Sequence, residues 1–140
     1  MLRSTIASLA LLTTVAVLAG CGGDSSSGPG GALDTDPSFA GVVQPIFTSN
    51  CSTLDCHGAA EQAGLKLSAG DARTELVNVA STSEPAFLRV ATSDSDTSYV
   101  IIKLDGNQNV GGRMPLGGQP LDADEIQLIR NWIDEGAKDN

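Results

Sequence analysis

Histidine, methionine, aromatic side chains and basic residues are all scarce in this 140-residue chain. It has one His, two Met, three Cys, one Trp, one Tyr and three Phe, and 8 Lys and Arg against 17 Asp and Glu. Each shortage removes a class of function. An excess of acid spread along the chain argues against a nucleic-acid partner, which needs basic side chains to neutralise phosphates. A zinc site needs about four ligands, usually Cys and His, and too few are at hand. No Gly-x-Ser-x-Gly nucleophile motif is present for a histidine to assist. The longest apolar stretch, Ile6 to Leu18, is too short to cross a bilayer comfortably.

That stretch follows Arg3 and ends in small residues, the layout of a secretory leader. Leu18-Ala19-Gly20-Cys21 closely resembles the bacterial lipobox, which implies cleavage before Cys21 and acylation of that residue. The other reading is an ordinary secreted protein with a spare thiol. Several acyl chains would hold the protein firmly at a membrane, since each buried methylene adds about 0.8 kcal/mol. Residues 1–20 are thus expected to be a lipoprotein signal peptide. Residues 21–36, rich in Gly, Ser, Asp and Pro, are expected to form a lipidated N-terminus and flexible linker. Residues 37–140 are the size of one domain with one core.

What is there, in place of a spread of histidines, is one histidine in one particular place. Asn50-Cys51-Ser52-Thr53-Leu54-Asp55-Cys56-His57 sets it directly after a cysteine, with a second cysteine upstream. A Cys-His pair of this kind marks covalent haem attachment. Two thiols bond the haem vinyl groups, and the tethered imidazole becomes an axial iron ligand. The usual spacer between the cysteines is two residues; here it is four. On a regular helix, positions i, i+5 and i+6 point in different directions, so the stretch from Cys51 to Cys56 must be a loop if both thiols bind. Ser52, Thr53 and Asp55 favour such a turn. The spacing makes Cys56 and His57 the firm part of this expectation and leaves the thioether of Cys51 open.

Helical periodicity brackets the motif. Ser38 or Asp36 can cap a helix carrying Phe39, Val42, Val43, Ile46 and Phe47, which Pro45 should bend or restrict. Near the C-terminus, Asp122 and Glu125 form a capping-box pattern before the stripe Ile126, Ile129, Trp132, Ile133 and Ala137, with Gly136 at its end. This stripe should pack on the first helix. Between them lie a segment of alternating character from Gly64 to Leu67, a short helical run from Asp71 to Val77, and another from Tyr99 to Leu104 capped by Ser98. The pattern predicts a small, mostly helical domain. Its few aromatics leave a core that a buried porphyrin would help to fill.

Iron in haem has a second axial position, and no second histidine can take it. Apart from the initiator the only methionine is Met114, in Gly111-Gly112-Arg113-Met114-Pro115-Leu116-Gly117-Gly118. Its thioether is a soft ligand of the kind that raises the reduction potential when paired with histidine.

Val43-Gln44-Pro45-Ile46-Phe47, Cys56-His57-Gly58, Gly64-Leu65-Lys66-Leu67-Ser68, Arg113-Met114-Pro115 and Trp132-Ile133-Asp134-Glu135-Gly136-Ala137 together resemble bacterial monohaem cytochrome c domains. The resemblance implies an all-α, class I cytochrome c-like fold whose N- and C-terminal helices cross beside one haem c. It implies covalent attachment at Cys51 and Cys56, axial ligation by His57 and Met114, and an electron carrier, not an enzyme, that could serve as the redox subunit of a larger oxidoreductase. With the lipidated Cys21, the expected location is the extracytoplasmic, periplasmic side of a bacterial membrane, among membrane-associated redox partner proteins. The acidity suits either solubility or a basic redox partner.

The rival reading from another class is a small lipoprotein in which Cys51 and Cys56 form a disulfide, with a structural or binding role and no haem. An enzyme using haem on a substrate would need an open sixth position, against which Met114 argues. Asp94-Ser95-Asp96-Thr97-Ser98 with Asp105 resembles a calcium loop, but Tyr99 stands where the turn demands glycine, which favours a helix-capping turn.

Overall fold

The computed structural model describes residues 32–140, so the expected leader, the expected acylation site Cys21 and most of the expected linker lie outside the described residues. Helices are the regular elements, joined by long loops and by three isolated β-bridges, Val77 with Val90, Ala80 with Leu88 and Ala91 with Asp94. The all-α expectation holds at this level. No helix among the described residues is long and apolar enough to cross a membrane.

The first apolar run enters as a π turn, Phe39–Val43, and continues as α1, Gln44–Asn50. Of the two expected caps Ser38 is the one used, accepting from the Gly41 amide at 3.2 Å. Pro45, which has no N–H to give, stands in the first turn of α1 where π pairing hands over to α pairing. It therefore shapes the helix without breaking it. Phe39, Val43, Ile46 and Phe47 are buried as the spacing predicts, and so is the polar Gln44.

After the loop from Cys51 comes a short 3₁₀ turn, Gln62–Gly64, then α2, Ala72–Leu76. Helix α3, Tyr99–Asp105, ends at Gly106 in the left-handed region (φ 84°), a conformation that costs glycine little. Ser98 occupies its N-cap position but makes no capping bond. Its hydroxyl instead accepts from the Ala91 amide at 2.9 Å and donates to the Asp94 carbonyl at 2.7 Å, tying down the preceding turn.

Helix α4, Ala123–Asp134, begins with both bonds of the expected capping box between Asp122 and Glu125. Such a cap is worth about 1 kcal/mol. Its stripe buries Ile129, Trp132 and Ile133. Trp132 meets Phe39 of the π turn at 5.0 Å between ring centroids and 36° between planes, so the two terminal segments pack as the pattern predicts. An aromatic pair of this kind adds about 1 kcal/mol to its burial. Arg130 bonds both Asp96 and Asp105, so two carboxylates of the calcium-like sequence are engaged by a cation.

Candidate functional site

A cavity of about 720 Å³, counting its open mouth, lies between the Cys51 loop, α2, α3 and the loop after α3. Cys51, His57 and Met114 all line it, although 57 positions separate His57 from Met114 in the sequence. Phe47, Leu65, Leu67, Leu76, Val100 and Leu104 make most of the wall apolar. Cys56, the fourth predicted residue, is exposed and is not part of that lining. The structure thus turns the emphasis of the sequence reading around: Cys51 faces the cavity, and Cys56 sits outside it.

The loop carrying these residues is compact because its backbone folds back on itself. His57 N–H donates to Cys51 O at 3.1 Å, and the amides of Cys56 and Gly58 both donate to Thr53 O, at 3.1 and 3.0 Å. Gly58 makes this possible. A Cβ there would stand 2.5 Å from Ser52 O and 2.6 Å from Thr53 O, closer than any side chain tolerates against backbone. Leu67 N–H donates to His57 O at 2.7 Å, and Ser52 Oγ and Gln44 Nε2 donate to Leu67 O at 2.5 and 3.0 Å. The buried Gln44 is therefore part of the site's support.

His57 is half-buried, with Nδ1 3.2 Å from Leu65 O. A carbonyl oxygen can only accept, so this contact requires a proton on Nδ1, and in the neutral ring Nε2 then carries the lone pair. The imidazole is set up as a ligand or base through Nε2. Burial pushes the Cys51 thiol from its usual 9.0 up to about 12, with the charges of Cys56 and Glu125 adding to the shift. Cys51 is thus a neutral thiol at physiological pH. Both cysteines are free, without a disulfide between them.

Met114 is held by its backbone. Its N–H donates to Lys103 O at 3.0 Å, and the neighbouring Arg113 Nε donates to Leu104 O at 2.6 Å, which fastens the glycine-rich loop along α3. Lys103 Nζ donates to Val110 O at 3.1 Å from the other side of that loop. Burial lowers the pKa of this lysine.

Sequence reasoning missed the polar part of the wall: Ser81, Thr82, Ser83, Arg89, Tyr99 and Lys103. Tyr99 is buried, and its hydroxyl oxygen has no partner among the described residues. Burial raises its pKa, and Glu84 lies near enough to add to the shift without making a hydrogen bond of good geometry. A buried unpaired hydroxyl costs about 1–3 kcal/mol, so it invites a polar group from a bound molecule. The signal for Arg89 was a lone cation inside the apolar run Phe87-Leu88-Arg89-Val90.

Comparison with family models, with curated proteins and with solved structures finds no match to this chain. Among the described residues, no group of three or more His, Cys, Asp and Glu side chains gathers to hold a metal ion.

Proposed function

We propose that this chain is an extracytoplasmic electron-transfer protein, anchored through Cys21, that carries one covalently attached haem c in the cavity. Its fold on this reading is of the class I cytochrome c kind. The observation that carries the proposal is that one largely apolar cavity receives a thiol and an imidazole from one loop, Cys51 and His57, and a thioether from a distant one, Met114. An iron held only by His57 and Met114 would want further donors that the neighbouring side chains do not supply, and a macrocycle brings its own.

The residues present fit such a group. Phe47, Leu65, Leu67, Leu76 and Leu104 would cover its apolar faces, while Lys103, the Tyr99 hydroxyl, Ser81 and Ser83 would offer donors to a polar edge. His57, with Nδ1 at Leu65 O, would hold the iron through Nε2, and Met114, which lines the same cavity, would hold it through its sulfur. A thiol joins a vinyl carbon by adding S–H across the double bond, so no oxidant or leaving group is involved. Cys51, which lines the cavity, would be the sulfur to make that addition. Cys56 reaches it only if the loop from Leu54 turns inward. When bound, the haem supplies a one-electron couple whose potential the methionine raises. The chain needs no catalytic residue for this role and works with membrane-associated redox partner proteins, near which the anchor keeps it.

The deciding measurement is the absorption spectrum and mass of the mature protein after denaturation. Haem retained on the polypeptide is the expected result; a colourless chain sinks the proposal. Cys51→Ser then separates one thioether from two through the position of the reduced α band. A colourless chain short of two hydrogens would favour the disulfide lipoprotein, a reading for which the free thiols give no support.

A further inference from the structure

The acceptor that orients His57 belongs to a segment that other side chains hold in place. Thr82 Oγ1 donates to Ala63 O at 2.6 Å, Arg89 Nη2 donates to Gly64 O at 2.7 Å, and the next carbonyl, Leu65 O, faces His57 Nδ1. The segment is not one that would hold this shape unaided. Glu61, Ala63 and Gly64 all have positive φ, of 46°, 57° and 61°, and two of these are side-chain-bearing residues under strain. Arg89 is buried and is itself fixed at both ends. Its Nη1 donates to Glu75 O at 2.8 Å and pairs with Glu75 Oε2 at 3.1 Å, while its backbone bonds Val79 O at 2.7 Å and accepts from Val100 N–H at 3.0 Å.

We propose that Arg89 is a positioning residue for His57: by clamping Gly64 O it places Leu65 O opposite Nδ1 and so keeps Nε2 as the free nitrogen. Only the φ and ψ of Leu65 separate the clamped carbonyl from the one that the imidazole uses. Without the clamp, Gly64 is free to leave its conformation, and the acceptor swings with it. Thr82 performs the same service one residue earlier, at an exposed contact that water can replace. The tautomer does not depend on haem; only the effect on iron rests on the proposed function.

Because His57 is the chain's one histidine, its ring nitrogens give an unambiguous signal. In ¹⁵N-labelled full-length protein free of haem, long-range ¹H–¹⁵N correlation about two pH units above the ordinary imidazole pKa of ~6.5 should show the Nδ1–H tautomer. Arg89→Met should lower the ratio of Nδ1–H to Nε2–H about fivefold, the weight of one hydrogen bond. Trp132 fluorescence reports whether the variant has folded. If Arg89→Met unfolds, Arg89→Lys is read instead, since a single ammonium cannot span Glu75 and Gly64 as the guanidinium fork does. In haem-bearing protein the same loss should speed exchange of the Nδ1 proton and raise the reduction potential, because a weaker bond from Nδ1 makes the imidazole a poorer donor. A native protein in the Nε2–H form, or a folded Arg89 variant with an unchanged tautomer ratio, overturns the assignment. A protein without haem overturns the proposed function alone and leaves the tautomer test standing.

Discussion

The two sides of the cavity are held by different means. On the His57 side, side chains and backbone interlock across short distances: Gly58 folded against two carbonyls, Ser52 and Gln44 on Leu67 O, Leu67 on His57, His57 on Leu65. On the Met114 side, a glycine-rich loop is tacked to α3 by a few backbone acceptors, and its neighbours Val110 and Leu116 stand exposed. The imidazole is fixed in direction by its own hydrogen bond. The thioether has no such bond and takes its direction from packing alone. One side is therefore fixed by many short-range bonds, and the other is held by few.

The largest effect should come from breaking the interlocked side at its tightest point. Gly58→Ala forces a methyl into two backbone oxygens and should cost about 3 kcal/mol, measured by urea unfolding, together with any covalent haem. Wild-type stability in that variant would show that the loop has room to yield. On the other side, Met114→Ala should leave the fold standing at a cost of about 2 kcal/mol, while haem-bearing protein goes from low to high spin and its potential falls. An unchanged spectrum would remove Met114 from the iron.

The cysteines differ in the same sense. In haem-free protein at pH 8, iodoacetamide should label the exposed Cys56 well before Cys51, whose thiol ionises only near pH 12. Peptide mass mapping reads the order. With the folded value of Cys51 above its usual 9.0, the unfolded chain releases this proton first, so stability should decline as pH rises from about 9 to 12. The smallest effect belongs to Ser52→Ala, about 1 kcal/mol, because Gln44 continues to satisfy Leu67 O.

What the sequence made legible and what it concealed divide along the range of the interactions involved. The capping box at Asp122 and Glu125, the stripe behind Trp132 and the run from Tyr99 are local patterns, and the helices stand where those patterns put them. Scarcity also helped, since one histidine and one internal methionine left few candidates, and both line the same cavity. The π turn was not foreseen, because periods of 3.6 and 4.4 residues are alike over five positions. Ser98 drew the capping expectation from its place in the sequence, but two backbone groups of an earlier turn claim its hydroxyl. The roles of Gln44, Arg89 and Tyr99 could not be assigned from neighbours, as Leu67 O for Gln44 and Glu75 and Gly64 for Arg89 lie 14 to 25 positions away, and the Tyr99 hydroxyl has no partner among the described residues. The inversion of Cys51 and Cys56 has the same origin: spacing says that a loop must form, while the folding of that loop around Gly58 decides which sulfur faces inward.

The ends of the domain carry a mechanical consequence. Asn140 accepts from the amides of Phe39 and Ala40, Asn131 donates to Asp34 O, and Lys138 pairs with Asp36. The incoming and outgoing strands of chain are thus stitched to each other through α4 and the residues after it. A pull arriving from the N-terminal side is resisted first by these bonds and by the Phe39–Trp132 contact, and its load passes into the C-terminal tail before it reaches Phe47 and the cavity. Such a seam would act as strain relief, taking up load from the N-terminal side ahead of the cavity.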